Sequence, residues 1–297
     1  MTFRHLQIFI HVADLGSMTA AAEALYITQP TVSQSIAELE QHYGVKLFDR
    51  LSRKLYITEA GRQLLGYARH ITTLFGEMEQ AVRDSARKGL LRVGASVTIG
   101  TSLLPGLVKD FLKEYPDIEI KAVTGNTKDM EALLLQNHID FALVEGNIHT
   151  EELVAKPFME DELALVCGRE HPFYGKERIS IFDLTGRKFV VREQGSGTRE
   201  LFENGMEAHG VKWDLSWECN GSDGLKSAAA EGLGIGVISR RLVGKEAAEG
   251  SLHILKVEGM DGTRRFSIIH HKNKYLTEPM EDFFGLCGRR VGEQGRF

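Results

Sequence analysis

Ser17-Met18-Thr19-Ala20-Ala21-Ala22-Glu23-Ala24-Leu25-Tyr26-Ile27-Thr28-Gln29-Pro30-Thr31-Val32-Ser33-Gln34-Ser35-Ile36-Ala37-Glu38-Leu39 reads as two helices joined by a tight turn. The first is alanine-rich, with Ala21, Ala22 and Leu25 on one face, and small side chains there let a second helix cross at close range. Tyr26 to Thr28 supply the turn. Thr28 is placed to cap the second helix and Pro30 falls in its first turn, where a missing N–H costs nothing, so that helix begins at about Gln29. Val32, Ile36 and Leu39 recur at spacings of four and three and form a buried stripe. This leaves Gln29, Thr31, Ser33, Gln34 and Ser35 largely outside. Amides and hydroxyls at a helix N-terminus suit base edges in a major groove, where Gln pairs with adenine and a Thr methyl meets that of thymine. Gln29, Pro30, Thr31, Ser33 and Gln34 are the candidate DNA-binding residues of this helix.

An isolated helical hairpin with a solvated face would look the same, so the flanks decide. Leu6, Phe9, Ile10 and Ala13 supply a preceding helix. After Gly44, the run Leu47 to Thr58 reads as a short β-hairpin whose tip carries Arg53 and Lys54, with Arg50 on its first strand. A basic wing beside such a helix holds phosphates and adds affinity where the helix adds sequence. With Ala20-Ala21-Ala22, Thr28-Gln29-Pro30-Thr31-Val32-Ser33 and Leu47-Phe48-Asp49-Arg50 in this order, residues 1 to about 60 closely resemble the winged helix-turn-helix of LysR-type transcriptional regulators.

The 297-residue chain carries 36 Lys+Arg against 41 Asp+Glu, a net charge of −5 that argues against a general nucleic-acid coat. Residues 1–92 hold 11 basic and 9 acidic side chains, so a small basic surplus precedes an acidic bulk. Binding DNA with so weak a field requires charge concentrated at the wing and two copies acting together. No apolar run approaches bilayer length and the segment from Met1 to His5 lacks a signal-peptide core, which makes a cytoplasmic protein the expectation. Cys167, Cys219 and Cys287 lie far apart with no Cys-x-x-Cys pairing and read as buried reduced thiols.

Thr58 and Glu59 open a long helical pattern that runs to about Lys88, with Thr58 as cap. Leu64, Ala68, Ile71, Phe75, Met78 and Val82 recur at alternating spacings of four and three, a heptad-type seam on a rod of about 45 Å. Such a stripe packs either on its own domain or on a partner helix; the resemblance implies a linker helix pairing two subunits. From Leu90 the pattern changes to strands at 91–95, 118–123 and 139–144 alternating with helices at 103–115 and 129–136. It repeats as strands at 189–191, 215–219 and 235–238 with helices at 198–209, 225–231 and 240–248, while 163–167 and 266–269 cross between the halves. From Leu90 to about Phe284 the chain resembles the effector-binding domain of the same regulators, which is similar to periplasmic solute-binding proteins. The expected architecture is α/β: a winged helix-turn-helix over 1–58, a linker helix over 59–88, and a two-subdomain effector domain over 89–297. Subdomain I covers about 89–161 and 266–297, and subdomain II about 162–265.

In α/β sheets ligands collect beyond strand carboxyl ends, where free N–H groups and helix dipoles favour anions. Two strand-to-helix loops fit. Ala95 to Thr101 offers the hydroxyls of Ser96 and Thr98, which serve equally well as helix caps. Val191 to Arg199 offers two glycines, Ser196, Thr198, and Arg192 or Arg199 as a carboxylate or phosphate clamp; the competing reading pairs these arginines with Glu193 and Glu200. This second loop looks like a variant from the branch of these regulators that governs carbon fixation and sulfite reduction, which implies a small anionic metabolite. Family correspondence adds Thr127 and Asn220, each also a possible N-cap.

Catalytic readings fail on register. Gln194 to Thr198 lacks the outer glycines of a nucleophile elbow, and the glycines of Gly232 to Gly236 follow a helix rather than a strand. His270 and His271 are adjacent on a strand and so face opposite ways. The expectation is a regulator, not an enzyme, with no catalytic residue, metal or cofactor. Its partners are double-stranded promoter DNA, a small anionic effector and a second copy of itself as dimer or dimer of dimers. The alternatives are a solute-binding protein without DNA function and a serine hydrolase using Ser196.

Overall fold

A computed structural model describes residues 1–51, 54–83 and 89–294. The chain divides into two compact units, Met1–Arg87 and Lys88–Phe297. The first opens with α1 (Phe3–Leu15), α2 (Met18–Ala24) and α3 (Gln29–Tyr43), followed by strands β1 (Phe48–Leu51) and β2 (Lys54–Ile57) and the helix α4 (Glu59–Arg83). Ser17 caps α2 through its side chain, and Gly16 and Gly44 take left-handed conformations where α1 and α3 end. Tyr26 turns the chain between α2 and α3 at φ 55° and is almost fully exposed. The core gathers Leu6, Ile8, Phe9, Val12, Ala21, Ala22, Val32, Ile36, Leu39, Leu47, Phe48 and Ala68.

Two sequence expectations need correction here. Thr28 occupies the cap position of α3, but its side chain does not cap; Thr28 Oγ1 instead hydrogen-bonds Thr31 Oγ1 at 2.8 Å. Ser35, expected outside, is buried, because it stands three residues after Val32 and four before Leu39 and so shares their stripe. Thr58 does cap α4, accepting from Gly61 N at 3.0 Å while donating to the Lys46 carbonyl at 2.7 Å. A side chain on Gly61 would overlap the Leu47 carbonyl oxygen, so α4 starts pressed against the strand leading into the hairpin. The expected seam divides: Ala68 is in the core and Leu64 packs on it, whereas Ile71, Phe75 and Met78 are exposed, as are Tyr67 and Leu74. The side chain of Val82 and the expected helix end at 84–88 lie outside the described residues.

The second unit is built on one nine-stranded sheet. β3 (Leu90–Ser96), β4 (Glu119–Gly125) and β5 (Phe141–Glu145) pair in parallel, with α5 (Val97–Ser102), α6 (Leu104–Glu114) and α7 (Thr127–Leu135) between them. β6 (Leu153–Gly168) is the long crossing strand. After a short β7 (Ile179–Ser180) come β8 (Lys188–Arg192), α8 (Gly197–Ala208), β9 (Asp214–Cys219), α9 (Ser222–Ala230) and β10 (Ile235–Ser239), again parallel. α10 (Gly244–Ala248), β11 (Leu252–Leu255), β12 (Val257–Glu258), β13 (Thr263–His271) and α11 (Glu278–Gln294) complete the unit. Eight strands run in the order β4-β3-β5-β13-β6-β10-β8-β9 and join two lobes, and the ninth, β11, pairs with β6. β6 pairs with β13 over Leu153 to Glu162 and with β10 over Leu163 to Val166, so this one strand serves both lobes.

The inner parallel strands β5, β8 and β10 are buried on both faces, as crossover helices require, whereas the edge strands β4 and β9 are largely exposed. Phe141 and Leu143 enter one core with Phe111, Phe266 and Phe283, while Ala142 and Val144 enter another with Met130 and Leu134. Phe189 and Val191 pack with Phe202 and Met206, and Val190 with Leu225 and Ala229. The expected helix at 103–115 is two helices: Leu103 breaks the path at ψ −48° and φ −125°, and Pro105 starts α6 where proline fits. The expected helix at 240–248 likewise divides into a 3-10 turn at Arg240–Leu242 and α10. None of the described helices is long and apolar enough to cross a membrane.

Candidate functional site

On α3, Gln29, Pro30 and Thr31 are exposed in the first turn, Gln34 is exposed one turn later and Ser33 is half-buried between them. The first turn holds no acidic residue. Gln34 Nε2 donates to Glu38 Oε1 at 2.9 Å, which holds the amide along the helix. Glu40, near the end of α3, receives the backbone N–H of Leu47 at 3.0 Å and pairs with Lys46 at 2.5 Å, tying the helix to the base of the hairpin. In that hairpin Arg50 stands opposite Leu55 and Lys54 opposite Leu51. Arg53 and the side chains of Arg50 and Lys54 lie outside the described residues.

In the second unit, Ser96, Thr98, Thr127, Ser196 and Thr198 come together where the lobes meet. The group at their centre is one the sequence reading passed over, the buried carboxylate of Glu145 at the end of β5. Its Oε1 accepts from Thr98 Oγ1 at 3.0 Å and Thr198 Oγ1 at 3.3 Å, and its Oε2 accepts from Ser96 Oγ. Thr127 Oγ1 donates to the Glu145 carbonyl at 2.8 Å. Thr98 is not in a loop as expected but inside α5, with Ser96 at the cap position. The lobes touch through backbone: a Cβ on Gly197 would overlap the Glu145 carbonyl oxygen, and one on Gly146 would come within 2.7 Å of Gly197 Cα. Lys128 N donates to the Gly195 carbonyl across the same line at 3.2 Å.

The arginines of the second loop are already engaged. Arg192 Nε and Nη2 both donate to the Glu193 carboxylate at 2.7 Å. Arg199 donates to Glu203 at 2.7 Å, to Glu218 at 2.5 Å and to the Arg192 carbonyl at 3.1 Å. Burial opposes the charge on Arg199, but those two carboxylates outweigh it and raise its pKa. The competing reading thus matches for Glu193; Glu200 instead turns to Asn147 Nδ2 at 3.1 Å and His149 Nε2 at 3.3 Å. Asn220 is exposed one residue before Gly221, the cap position of α9, and Asn126 is the side chain that caps α7.

A second missed cluster lies on the crossing strands. Arg264 Nε donates to Asp161 Oδ2 at 2.7 Å and its Nη1 to Thr198 Oγ1 at 2.8 Å, while Ser239 Oγ donates to Asp161 Oδ1 at 2.9 Å. In the sequence Thr263-Arg264-Arg265 looks like an exposed charge pair; only the alternation of β13, with Arg265 out and Phe266 in, marks Arg264 as inward.

A winged helix-turn-helix unit in one chain with a two-lobed α/β unit, polar groups gathered between its lobes, defines the class of ligand-responsive DNA-binding regulators. Residues 3–62 match the bacterial regulatory helix-turn-helix proteins of the lysR family, and residues 84–292 match the LysR substrate binding domain. The chain belongs to the LysR family and is a LysR-type transcriptional regulator with an effector-binding domain. It is 32% identical over 287 residues to the uncharacterized HTH-type transcriptional regulator YeiE of Escherichia coli strain K12, covering 97% of both chains. It is 32% identical over 284 residues to the HTH-type transcriptional activator CmpR of Synechocystis, covering 95% of this chain and 93% of that one. The regulatory domain of Synechocystis CcmR, solved in complex with 2-PG, superposes with a TM-score of 0.65 at 28% identity, covering 70% of this chain and 99% of that one.

Proposed function

We propose that this regulator's binding to duplex promoter DNA, through Gln29, Pro30, Thr31, Ser33 and Gln34 with Arg50, Arg53 and Lys54 at the wing, is modulated by a small oxyanion held between the lobes. The observation that carries this reading is the Glu145 carboxylate, which draws hydroxyls from both lobes onto one pair of oxygens. Ser96, Thr98 and Thr198 present to it the donor set that an external carboxylate, phosphate or sulfur oxyanion would use. The reading also assigns Thr127, Ser196, Arg192, Arg199 and Asn220 to effector contacts; Thr127 is held by the Glu145 carbonyl and both guanidinium groups by carboxylates of their own. The bound metabolite named for CcmR supports the ligand class. An anion that ties the lobes together changes their packing, and a coupling of about 1–3 kcal/mol changes promoter occupancy several-fold.

Pairing of two copies through α4 accompanies this function, because Ile71, Leu74 and Met78 form an exposed apolar stripe on that helix. The protein acts in the cytoplasm, where its DNA is. The serine-hydrolase alternative is the less favoured, because Ser196 Oγ has no base within hydrogen-bond reach among the described residues. A thermal-shift screen of the full chain with anionic metabolites, followed by footprinting with each hit, tests the reading. A stabilising anion that alters the footprint is expected; stabilisation only by cations or neutral compounds contradicts it.

A further inference from the structure

Two buried donors at the lobe junction have no hydrogen-bond partner among the described residues, Arg264 Nη2 and Ser196 Oγ. Arg264 is 6% exposed and Ser196 3%. Burying a polar group without a partner is costly, and a guanidinium N–H₂ more so than a hydroxyl. Both belong to one locality. Arg264 Nη1 donates to Thr198 Oγ1, the hydroxyl that also meets Glu145, and Ser196 precedes Thr198 by two residues at the start of the 12-residue helix α8. The helix N-terminus adds free N–H groups and the positive end of a dipole.

Resting on the effector-site reading above, we propose that Arg264, with Ser196, is the specificity-determining pair that takes the charged oxygen of the effector. Asp161 holds Arg264 Nε from one side and Thr198 holds Nη1 from the other, so Nη2 is fixed in direction before any ligand arrives. Arg264 lies on β13 and Asp161 on β6, the two strands that cross between lobes. Arg192 and Arg199, the nearer candidates by sequence, are each satisfied by carboxylates of their own. The ligand class is therefore a small oxyanion recognised by one pre-aimed guanidinium edge and one serine hydroxyl, and inorganic phosphate, sulfate and small carboxylates share this chemistry.

The test uses the full chain in a thermal-shift titration with inorganic phosphate, sulfate, acetate and glycolate, comparing wild type with Ser196→Ala and Arg264→Lys. Because Ser196 Oγ bonds none of the described residues, Ser196→Ala is expected to melt no earlier than the wild type yet to need at least ten times more anion for the same stabilisation. Arg264→Lys keeps the charge but loses the second N–H₂ edge and is expected to lose the response more fully. Should Arg264→Lys melt early, Ser196→Ala decides alone. Wild-type response with an undiminished response in Ser196→Ala overturns the pair while leaving the effector site standing. No response of the wild type to any of the four ions overturns the oxyanion reading itself. Response to the inorganic ions alone assigns the subsite to a phosphate or sulfur oxyanion, and response to the carboxylates alone to an organic acid.

Discussion

Glu145 and Ser33 show how the chemistry of each unit rests on single side chains. Two full charges about 4 Å apart repel by about 4 kcal/mol at an effective dielectric of about 20, so the Glu145 carboxylate and a bound anion do not share the hydroxyls of Ser96, Thr98 and Thr198. Glu145→Gln keeps an acceptor and removes the charge; it is expected to raise oxyanion affinity several-fold by calorimetry, and unchanged or weaker affinity would show that the carboxylate does not compete. On α3, Gln29→Ala and Ser33→Ala are expected to cost about 1–3 kcal/mol of sequence-specific binding each while sparing salt-driven nonspecific binding. Footprints indifferent to both changes would remove these residues from the base-reading set. The hydroxyls were legible in the sequence because strand-to-helix junctions advertise themselves. Glu145 and Arg264 were not: a charge ending a strand looks solvated until the partner strands show which face is covered. For Arg192 the adjacent Glu193 was the legible partner, whereas the Glu203 and Glu218 that hold Arg199 come from one turn along α8 and from β9, which local sequence does not bring together.

Among the elements, the start of α8 meets the end of β5 where the lobes touch. Gly197 starts α8 against the Glu145 carbonyl, and Gly197→Ala forces backbone apart, with an expected loss of about 1–3 kcal/mol in chemical denaturation. An unchanged midpoint would mean the lobes are not pressed together there. His149 sits between Glu131 on α7 and Glu200 on α8, at 2.9 Å and 3.3 Å. The hydrogen bond to Glu131, assisted by the charges of both glutamates and opposed by burial, raises its pKa above the ordinary imidazole value. A raised value means the contribution is complete below the ordinary pKa and fades as pH rises through the higher folded one. The melting difference between wild type and His149→Gln is thus expected to be larger at about pH 6 than at about pH 8; a pH-independent difference contradicts the charged bridge. Helices α3 and α4 were legible at their starts because Pro30 and Thr58 are strong signals. The break at Leu103 and the 16-residue length of β6 were not, because β6 changes partners midway and alternation alone cannot report that.

For the whole molecule, two separately cored units divide the labour, one reading duplex grooves and the other sensing a metabolite. In the pairing proposed above, the exposed apolar residues of α4 would present two reading units at once, and two half-sites about 34 Å apart reward such a pair. The domain division was legible at Gly89, where helical periodicity gives way to strand patterning, but the sharing of one sheet by two lobes required β6 and β13 to be seen paired. The central claim is that the uncharged polar end of α3 gives this chain its sequence selectivity. Its most direct test is selection from a pool of random duplexes at physiological salt, run in parallel for the wild type and for Gln29→Ala. Enrichment of one paired motif by the wild type, altered or lost with Gln29→Ala, is the predicted result; binding with no enriched sequence, or the identical motif from both proteins, would contradict it.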